Sequence, residues 1–133
     1  MTIFRFGPAS GGEPSPIVSI DLTGEISHST LSNLTALVDT GADGTLIPLN
    51  ILQEAGFRPS RQRRRFYTAR EDQSPEIVIG YSVLLRIGHF ELHDVDIYAS
   101  RSISEIILGR DVLNRLTFTY DGPQSILEIL DAG

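Results

Sequence analysis

The sequence predicts an all-β fold, a small barrel or sandwich with one or two short helices. Three observations predict it: apolar residues recur with a period of two, Gly and Pro separate these segments at short intervals, and only two stretches look helical. The chain has 133 residues, enough for one domain with a hydrophobic core. We expect a single domain over residues 1–133, in which residues 1–15 are loosely ordered.

The first third of the chain predicts three strands. "TIFRF" indicates a short edge strand, and "PIVSIDLTG" indicates a half-buried strand because Val18, Ile20 and Leu22 alternate with polar residues. "EISHSTLSNL" is polar and predicts a turn or a hairpin arm. The apolar residues 36–38 then predict a short buried strand that ends at Asp39.

The middle of the chain predicts one helix and then a long polar stretch. "PLNILQEAG" is typical of a short helix with Pro48 at its first position and Gly56 at its end. Residues 58–76, "RPSRQRRRFYTAREDQSPE", are polar and suggest a mobile segment.

The second half of the chain predicts the remaining strands. The clearest alternation is in "EIVIGYSVLLRI", whose apolar residues share one face: Ile77, Ile79, Tyr81, Val83, Leu85 and Ile87. Gly88 indicates a turn, "VDIYA" and "EIILG" two strands, and "RDVLNRL" about two turns of helix. "LTFTYDGPQSILEIL" predicts a terminal hairpin with Asp121-Gly122 at its turn.

Composition excludes several classes of function. The net charge of −6 argues against a nucleic-acid-binding domain, and the absence of cysteine excludes disulfides and thiolate chemistry. No apolar run approaches the roughly 20 residues that span a bilayer, and "MTIFRFGPASGGEPSP" has no secretory apolar region. We expect a cytoplasmic protein with neither a membrane nor a nucleic-acid partner.

The segment "ALVDTGADGTLIP" delivers an aspartate, Asp39, directly from an apolar strand into a Thr-Gly turn. An ordinary turn explains this pattern, since Asp bonds nearby amides and Gly tolerates unusual dihedrals. A calcium loop fits poorly, because Gly41 has no ligand oxygen at the third position and Asn50 stands where that loop needs a bidentate Glu. The third interpretation is catalytic, because a rigid and partly desolvated carboxylate beside a glycine suits acid–base chemistry on a peptide.

Catalysis of this kind requires a second carboxylate. One carboxyl group deprotonates water while another protonates the carbonyl oxygen, so the two must lie close enough to share a proton. The chain has a single Asp-Thr-Gly. A two-fold axis beside Asp39 supplies the second copy, and the catalytic interpretation therefore predicts a homodimer.

"ALVDTGAD", followed about seventy residues later by "EIILGRDVL", resembles the retropepsin-like aspartic proteases, which include the retroviral proteases and cellular and bacterial relatives. The resemblance covers roughly residues 16–130. It implies a small closed β-barrel of the retropepsin type, with one lobe per chain. It also implies an aspartic endopeptidase that acts on peptide or protein substrates as a homodimer, with no cofactor and no metal.

The resemblance further implies roles for individual residues. Asp39 would be the catalytic aspartate, and Thr40 would form a hydrogen-bonded grip across the dimer axis. Gly41 would allow close approach of the substrate main chain, and Asp43 would bind that main chain at the cleft edge. Arg110 would pair with Asp43 and tie the turn to the second helix.

Two further positions refine this hypothesis. Ala42 supports the site but has no hydroxyl to stabilise an ionised carboxylate, so we expect a weakly acidic to near-neutral optimum. The stretch "RRFYTAREDQSPEIVI" corresponds to the family's flap, has no glycine and places Pro75 at its tip. Tyr67 and Thr68 are the expected flap contacts with the substrate.

Other interpretations stay open. The protein could be a non-catalytic peptide-binding or dimerisation module that keeps the same fold. Residues 61–65, "RQRRR", suit a solvated loop, or else contact with nucleic acid or an acidic partner. His89 and His93 could share a face near two aspartates, but no third metal ligand converges, and the pattern favours surface histidines. The terminal hairpin, residues 116–130, is the expected dimer interface.

Overall fold

A computed structural model describes residues 2–8, 12–66 and 75–132 of the chain. Within these ranges the chain is built mainly from strands, with two short helices. The elements are β1 (Thr2–Arg5), β2 (Ile17–Gly24), β3 (Thr30–Val38), β4 (Leu46–Pro48), α1 (Leu49–Glu54), β5 (Arg63–Phe66), β6 (Glu76–Ile87), β7 (Phe90–Ser100), β8 (Ile106–Leu108), α2 (Arg110–Leu113), β9 (Leu116–Asp121) and β10 (Ile126–Ala132).

Six of these strands close into a barrel. Their order is β2-β3-β8-β4-β7-β6, and β6 pairs back with β2, so the sheet has no free edge within the ring. The barrel is mixed, because β3 runs parallel to β8 and β4 runs parallel to β7. β5 is attached outside the ring, as the antiparallel partner of the first residues of β6. The predicted small closed all-β barrel is confirmed.

Alternating side chains fill the barrel. Val18, Ile20 and Leu22 of β2 are buried, as their spacing predicts, and so are Tyr81, Val83, Leu85 and Ile87 of β6. Ile77 was predicted to share their face, but it is 64% exposed while its neighbour Val78 is fully buried. Both residues precede the pairing of β6 with β7, which starts at Ile79, and there the opposite face of β6 is the buried one.

The remaining strands form a three-stranded sheet in the order β1-β10-β9. β1 pairs only with β10, which confirms that "TIFRF" forms an edge strand. The predicted terminal hairpin is also confirmed, with its turn at residues 122–125. Asp121 stabilises that turn by accepting a hydrogen bond from the amide of Gln124 at 3.0 Å.

Several local predictions need correction. Pro48 ends β4 and precedes α1 rather than opening it, and β4 itself was not predicted. The second helix has one turn, not two, because the chain enters β9 already at Leu116. The polar stretch 58–76 includes β5, a regular strand that pairs with β6. Residues 36–38 form the end of a strand of nine residues.

Neither helix in the part of the chain that the structure describes is long and apolar enough to cross a membrane.

Two isoleucines in adjacent strands test the assignment of the core. Ile97 is fully buried, whereas Ile77 is 64% exposed. We expect Ile97→Ala to lower the free energy of unfolding by about 2–5 kcal/mol, because it removes apolar contacts and leaves a cavity. Ile77→Ala should change it by less than about 0.5 kcal/mol. Urea denaturation of both variants measures the difference, and equal losses would contradict this core.

Candidate functional site

The site forms where two parallel strands end side by side. β3 ends at Val38 and β8 at Leu108, and these two residues are register partners. The amide of Asp39 then donates to the carbonyl of Leu108 at 3.0 Å, which extends the pairing by one residue. Both halves of the sequence motif, Asp-Thr-Gly and Gly-Arg-Asp, therefore leave the barrel at the same level.

The turn after β3 fixes the carboxylate of Asp39. The amide of Gly41 donates to Oδ1 of Asp39 at 2.9 Å, and the amide of Ala42 donates to its carbonyl at 3.2 Å. A Cβ at Gly41 would lie 3.2 Å from the same Oδ1, so a side chain there would crowd the carboxylate. Asp39 is half-buried while Thr40 and Gly41 are exposed, so the turn presents a held carboxylate at the molecular surface.

Arg110 joins this turn to α2. Its Nη1 donates to the carbonyl of Thr40 at 2.9 Å, its Nη2 contacts Oδ1 of Asp43, and its own amide donates to the carbonyl of Ala42 at 2.9 Å. The side chains of Arg110 and Asp43 are 43% and 68% exposed, so solvent screens their attraction. The main effect of Arg110 is geometric, because its guanidinium holds Thr40 and Asp43 while its amide holds Ala42.

A buried polar network lies beneath the turn, and sequence reasoning missed it. Thr45 is fully buried, and its hydroxyl donates to Oδ1 of Asp111 at 2.8 Å while its amide donates to Oδ2 at 3.1 Å. The amide of Gly109 donates to the same hydroxyl at 3.2 Å, and the amide of Val112 donates to Asp111 at 2.8 Å. Two features of the sequence could have indicated this network. One is a polar Thr directly before the apolar "LIP", and the other is an Asp in the first turn of a predicted helix.

Two glycines permit the close packing of these segments. A Cβ at Gly109 would lie 2.4 Å from the carbonyl oxygen of Gly44 and 2.9 Å from that of Ala42, which no side chain can tolerate. A Cβ at Gly44 would lie 2.9 Å from Cζ of Phe66. The strand β5 therefore packs directly against the turn that follows Asp39.

The structure brings together six of the predicted site residues: Asp39, Thr40, Gly41, Ala42, Asp43 and Arg110. The predicted flap contacts, Tyr67 and Thr68, lie outside the described residues. Within the described ranges no group of three or more His, Cys, Asp or Glu side chains converges as metal ligands would.

Comparisons with known proteins agree with this architecture. A family model described as "gag-polyprotein putative aspartyl protease" matches residues 24–115. A retropepsin-like aspartic protease from Rickettsia conorii is similar in structure, with a TM-score of 0.62 and 17% identity over 96% of this chain and 89% of that one. No curated protein matches the chain in sequence.

Two further structures align more loosely. EIAV protease in complex with the inhibitor HBY-793 has a TM-score of 0.42 and 21% identity, over 81% of this chain and 91% of that chain. The retroviral protease-like domain of Ddi1 from Leishmania major has a TM-score of 0.46 and 13% identity, over 87% of this chain and 95% of that chain.

Thr45→Val tests whether the buried network holds the turn. The substitution keeps the shape of the side chain but removes the hydroxyl, which leaves a carboxylate oxygen of Asp111 and the amide of Gly109 without this partner. We expect a loss of about 1–3 kcal/mol in the free energy of unfolding. Thr30→Val, at an exposed position of β3, is the matched control and should be near neutral. Chemical denaturation compares the two, and a neutral Thr45→Val would contradict the role of the network.

Proposed function

Because this chain belongs to the retropepsin-like aspartic protease family, we propose that it is an aspartic endopeptidase that hydrolyses peptide bonds as a homodimer. The observation that supports the proposal is the presentation of Asp39. A half-buried carboxylate stands at the end of a barrel strand, in a turn fixed by the amide of Gly41 and by Arg110. Such a preorganised group is ready for chemistry without reorganisation of the protein.

The proposed reaction uses Asp39 and its counterpart from a second chain. Two adjacent carboxyl groups hold one proton between them, because like charges at close range do not both ionise. The ionised carboxylate takes a proton from water, and the water oxygen forms a bond to the carbonyl carbon while the other carboxyl protonates the carbonyl oxygen. A proton then passes to the amide nitrogen, the carbon–nitrogen bond breaks, and the pair again holds a single proton.

The need for two carboxylates supports the homodimer. The chain carries a single Asp-Thr-Gly, so one chain supplies half of the pair. The exposed Thr40 is available to bond across an axis beside Asp39. The three-stranded sheet exposes large apolar side chains, with Ile3 on one face, Tyr120 on the other, and Leu130 near the end of β10. We assign this sheet, which includes the terminal hairpin, to the dimer interface.

We assign the substrate as an extended peptide that passes over Gly41. This residue is exposed and has no Cβ, so a second main chain can approach it, and Asp43 lies two residues further along. We place the enzyme in the cytoplasm, an assignment with which its lack of cysteine agrees.

Asp39→Asn is the direct test of the proposed chemistry. The side-chain amide of the introduced asparagine cannot act as a general base. We therefore expect kcat/KM on casein or a peptide library to fall at least about a hundredfold. Glu54→Gln, at an exposed position of α1, is the matched control and should cleave like the wild type. Pepstatin should inhibit the wild type.

Three outcomes would contradict the proposal. Cleavage that survives Asp39→Asn would place the chemistry elsewhere. Absence of cleavage by the wild type over a broad pH range would favour the non-catalytic binding module. A chain that sedimentation shows to be strictly monomeric would exclude a symmetric pair of aspartates.

The residue at position 42 predicts the direction of a pH effect. Ala42 lies in the fixed turn, and its side chain offers no donor to the carboxylate. We expect a bell-shaped pH profile of kcat/KM with a weakly acidic to near-neutral optimum. Ala42→Ser adds a donor that stabilises the ionised form, so its profile should move to lower pH. A wild-type optimum below about pH 3 would contradict this.

A further inference from the structure

We propose that Arg64 makes this site selective for acidic peptides, by pairing with a Glu or Asp side chain of the substrate outside the scissile bond. The inference rests on the proposed function, because it assigns a substrate class to the same cleft. Four observations support it: where the guanidinium lies, how it is held, what it is not paired with, and how it differs from its neighbours.

The guanidinium of Arg64 lies against the turn that carries Asp39. Its Nη1 is 3.2 Å from the position that a Cβ on Gly44 would occupy, and Cζ of Phe66 is 2.9 Å from the same point. Gly44 directly follows Asp43, the residue assigned to the substrate main chain. A peptide that runs along the turn past Asp43 therefore passes within reach of Arg64.

Two aromatic rings hold the guanidinium in place. Its carbon lies 5.4 Å from the centroid of Phe66 and 5.6 Å from that of Tyr98, and these two rings are 6.2 Å apart. Because the two ring centroids are only 6.2 Å apart, both rings contact the guanidinium from one side, and its in-plane N–H donors remain suited to a carboxylate. Because the side chain is already ordered, little rotamer freedom is lost when a ligand binds.

Arg64 has no ion-pair partner within the part of the chain that the structure describes. The pairs found there are Arg86 with Glu91, His93 with Glu91, and Arg110 with Asp43. Glu76, opposite Phe66 in the β5–β6 pair, instead accepts hydrogen bonds from the hydroxyls of Ser100 and Ser102 at 2.7 Å. A donor that is ordered and has no ion-pair partner among the described residues is suited to an external anion.

The neighbouring arginines point to the other side of the strand. Arg63 and Arg65 pair with Ile79 and Ile77, whereas Arg64 pairs with the fully buried Val78. Arg63 donates to the carbonyls of Ser60 and Gln62 at 2.8 and 2.7 Å. Arg65 thus carries the same charge one residue away on the opposite face.

A structural role for Arg64 is the alternative to exclude. A cavity of about 250 Å³ is lined by Arg64 together with Asp94, Asp96, Asp111 and Arg115, so Arg64 could serve to balance those carboxylates. Asp111 is already bonded to Thr45, and Asp96 accepts from Ser82 at 3.0 Å. A structural role would make all substrates respond equally to loss of Arg64, whereas recognition would affect acidic substrates alone.

The experiment uses peptide pairs that differ by Glu or Gln at one position, scanned along a sequence that the wild type cleaves. We expect one outer position at which Glu raises kcat/KM about tenfold over Gln, the effect of a charged hydrogen bond. Arg64→Gln should abolish this preference and leave the Gln peptide within about twofold. Arg65→Gln should retain the preference, Arg64→Lys should keep part of it, and Arg64→Glu should favour Lys at that position.

Binding separates this inference from the proposed function. Fluorescence anisotropy with the Asp39→Asn variant measures the Glu-over-Gln preference without turnover. Cleavage with no acidic preference, or equal losses for both peptides in Arg64→Gln, would overturn the role of Arg64 and leave the peptidase intact. Acidic preference in binding without cleavage by the wild type would overturn the peptidase and support Arg64. If the protein neither binds nor cleaves any peptide, that result would overturn both the role of Arg64 and the proposed peptidase activity.

Discussion

The structure depends on the contact between the turn that follows Asp39 and the start of α2. The turn and the helix come from segments that lie far apart in the sequence, and they approach so closely that Gly109 has no room for a side chain against the carbonyls of Ala42 and Gly44. Thr45 and Asp111 bond beneath the contact and Arg110 bonds above it. The close packing at Gly109 and these two sets of bonds all act on one short segment. Together they fix the position of the Asp39 carboxylate.

The parts of this arrangement that could be predicted are those with local signatures. Alternation of Val18, Ile20 and Leu22 is a property of one strand, and it predicts burial without knowledge of what lies opposite. The two-part motif similarly indicated the elements that carry Asp39 and Arg110. The contact of Thr45 with Asp111 joins residues 66 apart, and no periodicity in either segment indicates it.

The errors have a common physical cause. Ile77 fits the apolar pattern of its strand, but it precedes the pairing of β6 with β7, and there the opposite face of β6 is the buried one. The arginine-rich sequence of β5 is typical of a solvated loop. The segment nevertheless forms a strand, because its backbone pairs with β6. The role proposed for Arg64 depends on its contacts with Phe66 and Tyr98. Tyr98 belongs to β7, so the sequence of β5 alone does not indicate this contact.

The three-stranded sheet has a consequence for how the protein assembles. β1 pairs with β10 and β10 with β9, so each strand of this sheet finds a partner within its own chain. The sheet therefore needs no strand from a second molecule to form. For the proposed homodimer, folding and association are then separate equilibria, and dilution would separate the two subunits while each stays folded. Under the proposed function, the concentration of the protein would then set the fraction that can hydrolyse peptides.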